Sequence, residues 1–188
     1  MTMLQTERGM VRVPAGTWKV DPAHSSVGFE VRHLMISTVR GHFSEYDGTL
    51  EADPDDPARS RAWGTVKVAS IDTGDPDRDA HLRSPDFFDA ERYPEMRFES
   101  TRVEHVEGGT YRVAGDLTIK DQKREVVVDA TVQGVGTDPW GNERVGIAIR
   151  GTIDRTDFGL TWQQRLATGG MLVSEDVKIV IDVSMMRA

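Results

Sequence analysis

Between Asp21 and Phe43 the chain alternates apolar and polar residues twice. Val27, Phe29 and Val31 are separated by Gly28 and Glu30, and Val39, Gly41 and Phe43 by Arg40 and His42. A period of two gives a strand one dry face and one wet face. Leu34-Met35-Ile36 breaks the phase between the runs. The stretch therefore predicts two antiparallel strands whose apolar faces look into a shared interior. The pattern recurs in Trp63 to Ile71, with Val66 and Val68 on one face, and in the strand that opens with Met96 and Phe98 and runs to about Val106. It continues through Val113–Ile119, Val126–Val132, Val145–Ile153 and Val177–Val183. Thr17 to Val20, carrying Trp18, reads as a further short strand, and Tyr46-Asp47-Gly48 as a hairpin-like lead into Thr49–Ala52.

Turn residues punctuate these runs. Asp21-Pro22, Gly108-Gly109, the segment Lys120–Lys123 and the glycine-rich segment 134–142 separate strands, and residues 53–61 form a Pro- and Asp-rich surface loop. Residues 72–95 break the β pattern. Asp75 followed by Pro76 predicts a capped helical turn, and Ser84-Pro85-Asp86 a second one running to Glu91. Phe87, Phe88 and Tyr93 give this insert an apolar side, which is expected to cover an end or gap of the sheet. Residues 1–16 read as a flexible tail, followed by a single domain over 17–188. Eight to ten strands without a long crossover helix exclude a parallel βαβ plan. The fold class expected is all-β: an antiparallel barrel of about eight strands with a short helical insert near residues 75–92. Inward positions dominated by Val and Ile, with Gly and Ala interspersed, leave room for a ligand.

Composition narrows the function. The chain has 188 residues, no cysteine and a net charge of −8. Disulfides, thiolate metal sites and cysteine nucleophiles are excluded. An acidic chain with no long basic run is a poor partner for nucleic acid or for an anionic membrane. No apolar run approaches the length of a membrane span, and the first residues lack the apolar core of a secretory leader, so a cytoplasmic location is expected.

Candidate chemistry is sparse. Asp75, Asp77 and Asp79 have calcium-loop spacing, but Ala80 and Asp86 stand where Gly and Glu are required. Asp157-Phe158-Gly159 lacks the other kinase segments. His24 beside Ser25 offers a nucleophile and a base only in a strained geometry that nothing local predicts. His33 continues the Val27-Phe29-Val31 face and is a candidate contact for a ligand's polar end. Neither a catalytic residue nor a metal site is assigned.

Several segments together resemble the YceI-like family. They are Trp18–Ser25, then Phe29, Val31, His33 and Val39-x-Gly41-x-Phe43, Ser70–Gly74, and Arg78-Asp79-x-His81-Leu82. Asp86–Asp89, Tyr93-Pro94 with Phe98, Gly115–Ile119 and Arg155-x-Asp157-Phe158-Gly159 follow in the family's order. The resemblance implies an extended lipocalin-like barrel whose tunnel holds a polyisoprenoid, an isoprenoid quinone or a fatty-acid-like lipid. It also implies a homodimer. After Ile119 the chain departs from the family pattern, with Glu125 where a proline is usual.

The tunnel wall expected from strand phase is Val27, Phe29, Val31, His33, Val39, Phe43, Val66, Val68, Phe98, Leu117, Val128, Ile149 and Ile179. No cofactor is expected beyond the bound lipid, and the partner is that lipid, without nucleic acid or a membrane span. Non-catalytic storage or transport is the principal reading. An enzyme with a histidine acid–base group, or a stress-related interaction protein with a filled barrel, are the alternatives.

Overall fold

The structure is a computed structural model that describes residues 6–7 and 10–188, with side chains from residue 11 onward. The strands are β1 (Thr6–Glu7), β2 (Met10–Val11), β3 (Gly16–Val20), β4 (Ser26–His33), β5 (Ser37–Phe43), β6 (Tyr46–Ala52), β7 (Arg61–Lys67) and β8 (Ile71–Asp72). Helix α1 (Pro76–Arg83) follows, then β9 (Glu95–Glu107), β10 (Thr110–Ile119), β11 (Gln122–Thr137), β12 (Glu143–Asp154) and β13 (Val173–Arg187).

Eight strands close a ring in the order β3-β6-β7-β9-β10-β11-β12-β13, every neighbour antiparallel. Closure removes the sheet edge. Strands β4, β5 and β8 branch from β13 as a side wall. The branch exists because β13 changes partner along its length. Val173–Asp182 pairs with β4 and Met185–Arg187 with β3, while β12 runs beside residues 176–186 on the other flank.

Residues 21–25 make the step between β3 and β4, and they satisfy the backbone of β13 as they do so. Ser184 N–H donates to Ser25 Oγ at 2.9 Å, and Ser184 O accepts from Asp21 N–H at 2.8 Å. The Asp21 carboxylate caps the turn by accepting from Ala23 N–H and accepts from Arg144 at 2.8 Å. Arg144 also donates to Asp138, which organises the 138–142 turn through Trp140 and Asn142 N–H. One guanidinium thus joins the β3–β4 step to the β11–β12 turn.

The core lies in two clusters rather than one. Trp18, Val132, Val145, Ile147 and Met185 fill one end. Phe87, Ile119, Val126, Phe158 and Leu160 fill the other. Residues 11–16, expected within a free tail, are docked on the first cluster. Val11 and Val13 pack against it, Val11 N–H donates to Gly108 O, Tyr111 Oη–H to Val11 O, and Trp18 Nε1–H to Pro14 O. Two apolar side chains and the backbone hydrogen bonds at Val11 and Pro14 hold this segment in place. The expectation for residues 1–5 and 8–9 lies outside the described residues.

Two further expectations need correction. The strand from Trp63 ends at Lys67, and Val68–Ser70 forms a 3₁₀ turn. Val68 N–H donates to Pro94 O, but Pro94 has no N–H to return, so the ladder stops there. In the insert, α1 starts as expected with Asp75 accepting from Asp77 and Arg78 N–H. Residues 84–93, however, form hydrogen-bonded turns instead of a second helix, with Asp89 in left-handed backbone at φ 50°.

The Arg144 cluster sets an acid limit on stability. Hydrogen bonds from Arg144 first, and His24 second, lower the Asp21 pKa from 3.8 to about 2, and Arg144 holds the Asp138 carboxyl below its ordinary range. A carboxyl with a depressed pKa in the fold stabilises it fully above the unfolded value. That contribution is lost as pH falls from about 4 toward about 2. Asp21→Asn is expected to lower stability at pH 7 and to flatten the decline between those two pH values in urea titrations. An acid limb with unchanged slope would show that Asp21 titrates elsewhere in the scale.

Candidate binding cavity

Between the two core clusters lies a cavity of about 650 Å³. Its wall is built from one face of almost every strand. β4 contributes Val27, Phe29, Val31 and His33, and β5 contributes Val39 and Phe43. Val66, Phe98, Leu117, Val128, Ile149 and Ile179 come from β7, β9, β10, β11, β12 and β13. Most of these apolar side chains are only half-buried although they point inward, because they face open internal space. Val68 is absent from the wall. The 3₁₀ turn that ends β7 rotates it out of phase, and it is 2% exposed beside the insert.

Two aromatic rings widen the cavity by lying flat. Phe29 stands opposite Gly41 on β5, and Phe98 lies across from Gly115 on β10, diagonal to it in the register. A methyl group on Gly41 would overlap the Phe29 ring, and one on Gly115 would overlap that of Phe98. Each ring therefore rests on bare backbone instead of projecting into the interior, a cross-strand contact that only glycine allows.

Other wall residues were not assigned from strand phase. Val177, Ile181 and Val183 share the inward face of Ile179, so their signal was present in the same alternation. Leu82, Leu160, Trp162, Leu172 and Arg155 come from the insert and the irregular segment 154–172, where no periodicity marks them. His81 stands edge-on to Phe87 and Trp162, with ring centroids 5.1 and 4.9 Å away, and pairs with Asp86 at 2.9 Å. These rings join α1 to the 159–172 segment across one end of the cavity.

Arg155 fastens that segment. It is 4% exposed and donates to the carbonyls of Leu160, Trp162, Val173 and Ser174. Burial lowers its pKa, and the charges of Glu175 and Asp154 oppose that shift. Its charge is compensated by oriented carbonyl dipoles, which makes it a structural clasp.

The motifs with chemical overtones have local structural uses. Asp75 caps α1, and Asp79, 6% exposed, accepts from the N–H and hydroxyl of Thr73. Phe158 is a core residue, and Gly159 closes its turn at φ 75°. Ser25 Oγ–H donates to Asp21 O, and the His24 ring pairs with the Asp21 carboxylate at 2.8 Å. That arrangement directs both side chains into the β3–β4 step and gives no nucleophile–base pair.

Comparison with known proteins agrees with this architecture. The family model described as YceI-like domain matches residues 18–185. A UPF0312 protein of Photorhabdus laumondii is 41% identical over 146 residues, covering 77% of this chain and 76% of its own. One from Staphylococcus aureus is 38% identical, covering 84% of this chain and 90% of its own. Among solved structures, Burkholderia cenocepacia BcnA superposes with a TM-score of 0.77 at 28% identity, covering 88% of this chain and 98% of its own. A polyisoprenoid binding domain from Saccharophagus degradans shares the fold, with a TM-score of 0.67 at 13% identity, covering 91% of this chain and 98% of its own. The closed barrel, the two-ended core and the match from Trp18 to Met185 place this chain in the YceI-like family.

Proposed function

We propose that the protein binds a long-chain apolar ligand in the barrel cavity and acts as a non-catalytic carrier or store. A polyisoprenoid, an isoprenoid quinone or a fatty-acid-like lipid fits this reading. The observation that carries it is the apolar cavity of about 650 Å³ between two packed ends. Ligand sites span roughly 300–1,000 Å³ and are lined mainly by hydrophobic side chains. The description of the Saccharophagus degradans domain as polyisoprenoid-binding supports the same ligand class.

The energetics are sufficient. Burying a chain of about sixteen methylene equivalents contributes about 13 kcal/mol at about 0.8 kcal/mol each. With about 5 kcal/mol lost to association and ordering, about 8 kcal/mol remains, which corresponds to micromolar affinity. An apolar wall of this kind selects length and width more than head group.

Denaturing the purified protein and analysing the extract by mass spectrometry is expected to reveal a long-chain lipid. A delipidated sample is expected to take up a fluorescent long-chain probe saturably. The absence of both a co-purified lipid and saturable uptake would overturn the proposal.

The flattened rings give a sharper test. Gly41→Ala displaces Phe29 toward the interior, and Gly115→Ala displaces Phe98 together with the Glu99 carbonyl of the paired strand; each is expected to weaken probe uptake about tenfold, from overpacking of about 1–3 kcal/mol. Gly134→Ala, where a methyl meets no atom within 4 Å, serves as the control. Equal uptake by all three variants would show that the rings do not limit the cavity.

A further inference from the structure

The Leu34-Met35-Ile36 turn, which interrupts the alternation of the sequence, serves neither core cluster. It joins the paired residues His33 and Ser37 through three residues, with Ile36 N–H donating to His33 O at 3.0 Å. Leu34 and Met35 both adopt left-handed backbone, at φ 55° and 56°. Turns of this type favour Asn-Gly, because a Cβ is strained there. Large apolar residues occupy these strained positions; Met35 is 57% exposed, and Ile36 beside it 78%.

A second tip lies beside the first. Leu34 N–H donates to Leu172 O at 2.8 Å, which brings Met171, 38% exposed, to the same end of the barrel. The cavity reaches this end, since His33 and Leu172 line it. Locally these two tips escape the acidic balance that disfavours an anionic membrane for the chain as a whole. Residues 31–37 and 163–173 contain no acid in a chain of net charge −8, and they carry Arg32 and Arg165. Arg32 donates to Met35 O at 2.9 Å, and Arg165 forms a backbone bridge with Met171.

We propose that this tip docks on a bilayer containing anionic phospholipid. Met35, Ile36 and Met171 enter the headgroup region, and Arg32 and Arg165 face the phosphates. The inference rests on the lipid-binding reading for its purpose, since docking places the end of the cavity against the membrane. A second copy of the chain fits the tip less well. A stable interface buries about 800 Å² per partner, which three side chains on a protruding hairpin and its neighbour do not supply.

The full chain is tested by flotation with vesicles of phosphatidylcholine and phosphatidylglycerol. Wild type is expected to float. M35S/I36S, or I36S alone should the double variant not fold, is expected to bind about tenfold more weakly. R165Q is expected to lose part of the binding that depends on phosphatidylglycerol. Uptake of a fluorescent long-chain probe from vesicle-free solution should be unchanged in M35S/I36S, while transfer from vesicles slows about tenfold. Wild type that does not float, or a tip variant that floats equally well, overturns the proposal. So does a tip variant that only converts dimer to monomer in sedimentation, which would make the tip an interface between copies. Wild type that floats but takes up no probe upholds docking and overturns the lipid-binding reading alone.

Discussion

The architecture depends on a single strand pairing with three others. β13 holds β12 along one flank and divides the other between β4 and β3. A backbone cannot change partner without leaving N–H and C=O groups to satisfy at the switch. Ser25 and Asp21 satisfy them at Ser184. Arg144 then ties the switch to the neighbouring turn through Asp21 and Asp138. Without that step, β4 and β5 would have no place beside the ring, and the cavity would lose the wall that carries Phe29 and Phe43.

The same division explains how a cavity survives in a folded protein. Interiors normally reach the density of organic crystals, and open space forfeits dispersion contacts. Here close packing is concentrated at Trp18 and its neighbours at one end and at Phe158 and its neighbours at the other. The span between them is supported by the backbone ladder. The glycines under Phe29 and Phe98 let those rings rest on the wall, which keeps the middle open.

The barrel and most of its wall were legible because both depend on a period of two. Val27, Phe29 and Val31 show it on β4, and Ile149 and Ile179 on β12 and β13. Val68 was misplaced because its strand ends for a reason written on another segment, the missing N–H of Pro94. The docking of residues 11–16 was hidden for a similar reason, since Val11 finds its partners at Gly108 and Tyr111. Arg155 and Trp162 had no periodic signal at all. Their positions follow from carbonyls and rings that only the folded chain assembles. The aspartates at 75–79 were legible for what they are, since Ala80 and Asp86 break the calcium-loop pattern and Asp75 caps α1.

The separation of the two cores has a consequence for substitution. A residue packed in either cluster, such as Val145 at 0% exposure, cannot change size without leaving a hole or a clash. A residue on the cavity wall outside both clusters, such as Val39 or Ile179, borders space and can grow or shrink with little cost to the fold. The shape of the cavity can therefore change while the two ends stay under constraint. The freedom to reshape the interior thus rests on the wall residues that neither cluster uses, side by side on the same strands with residues that cannot change.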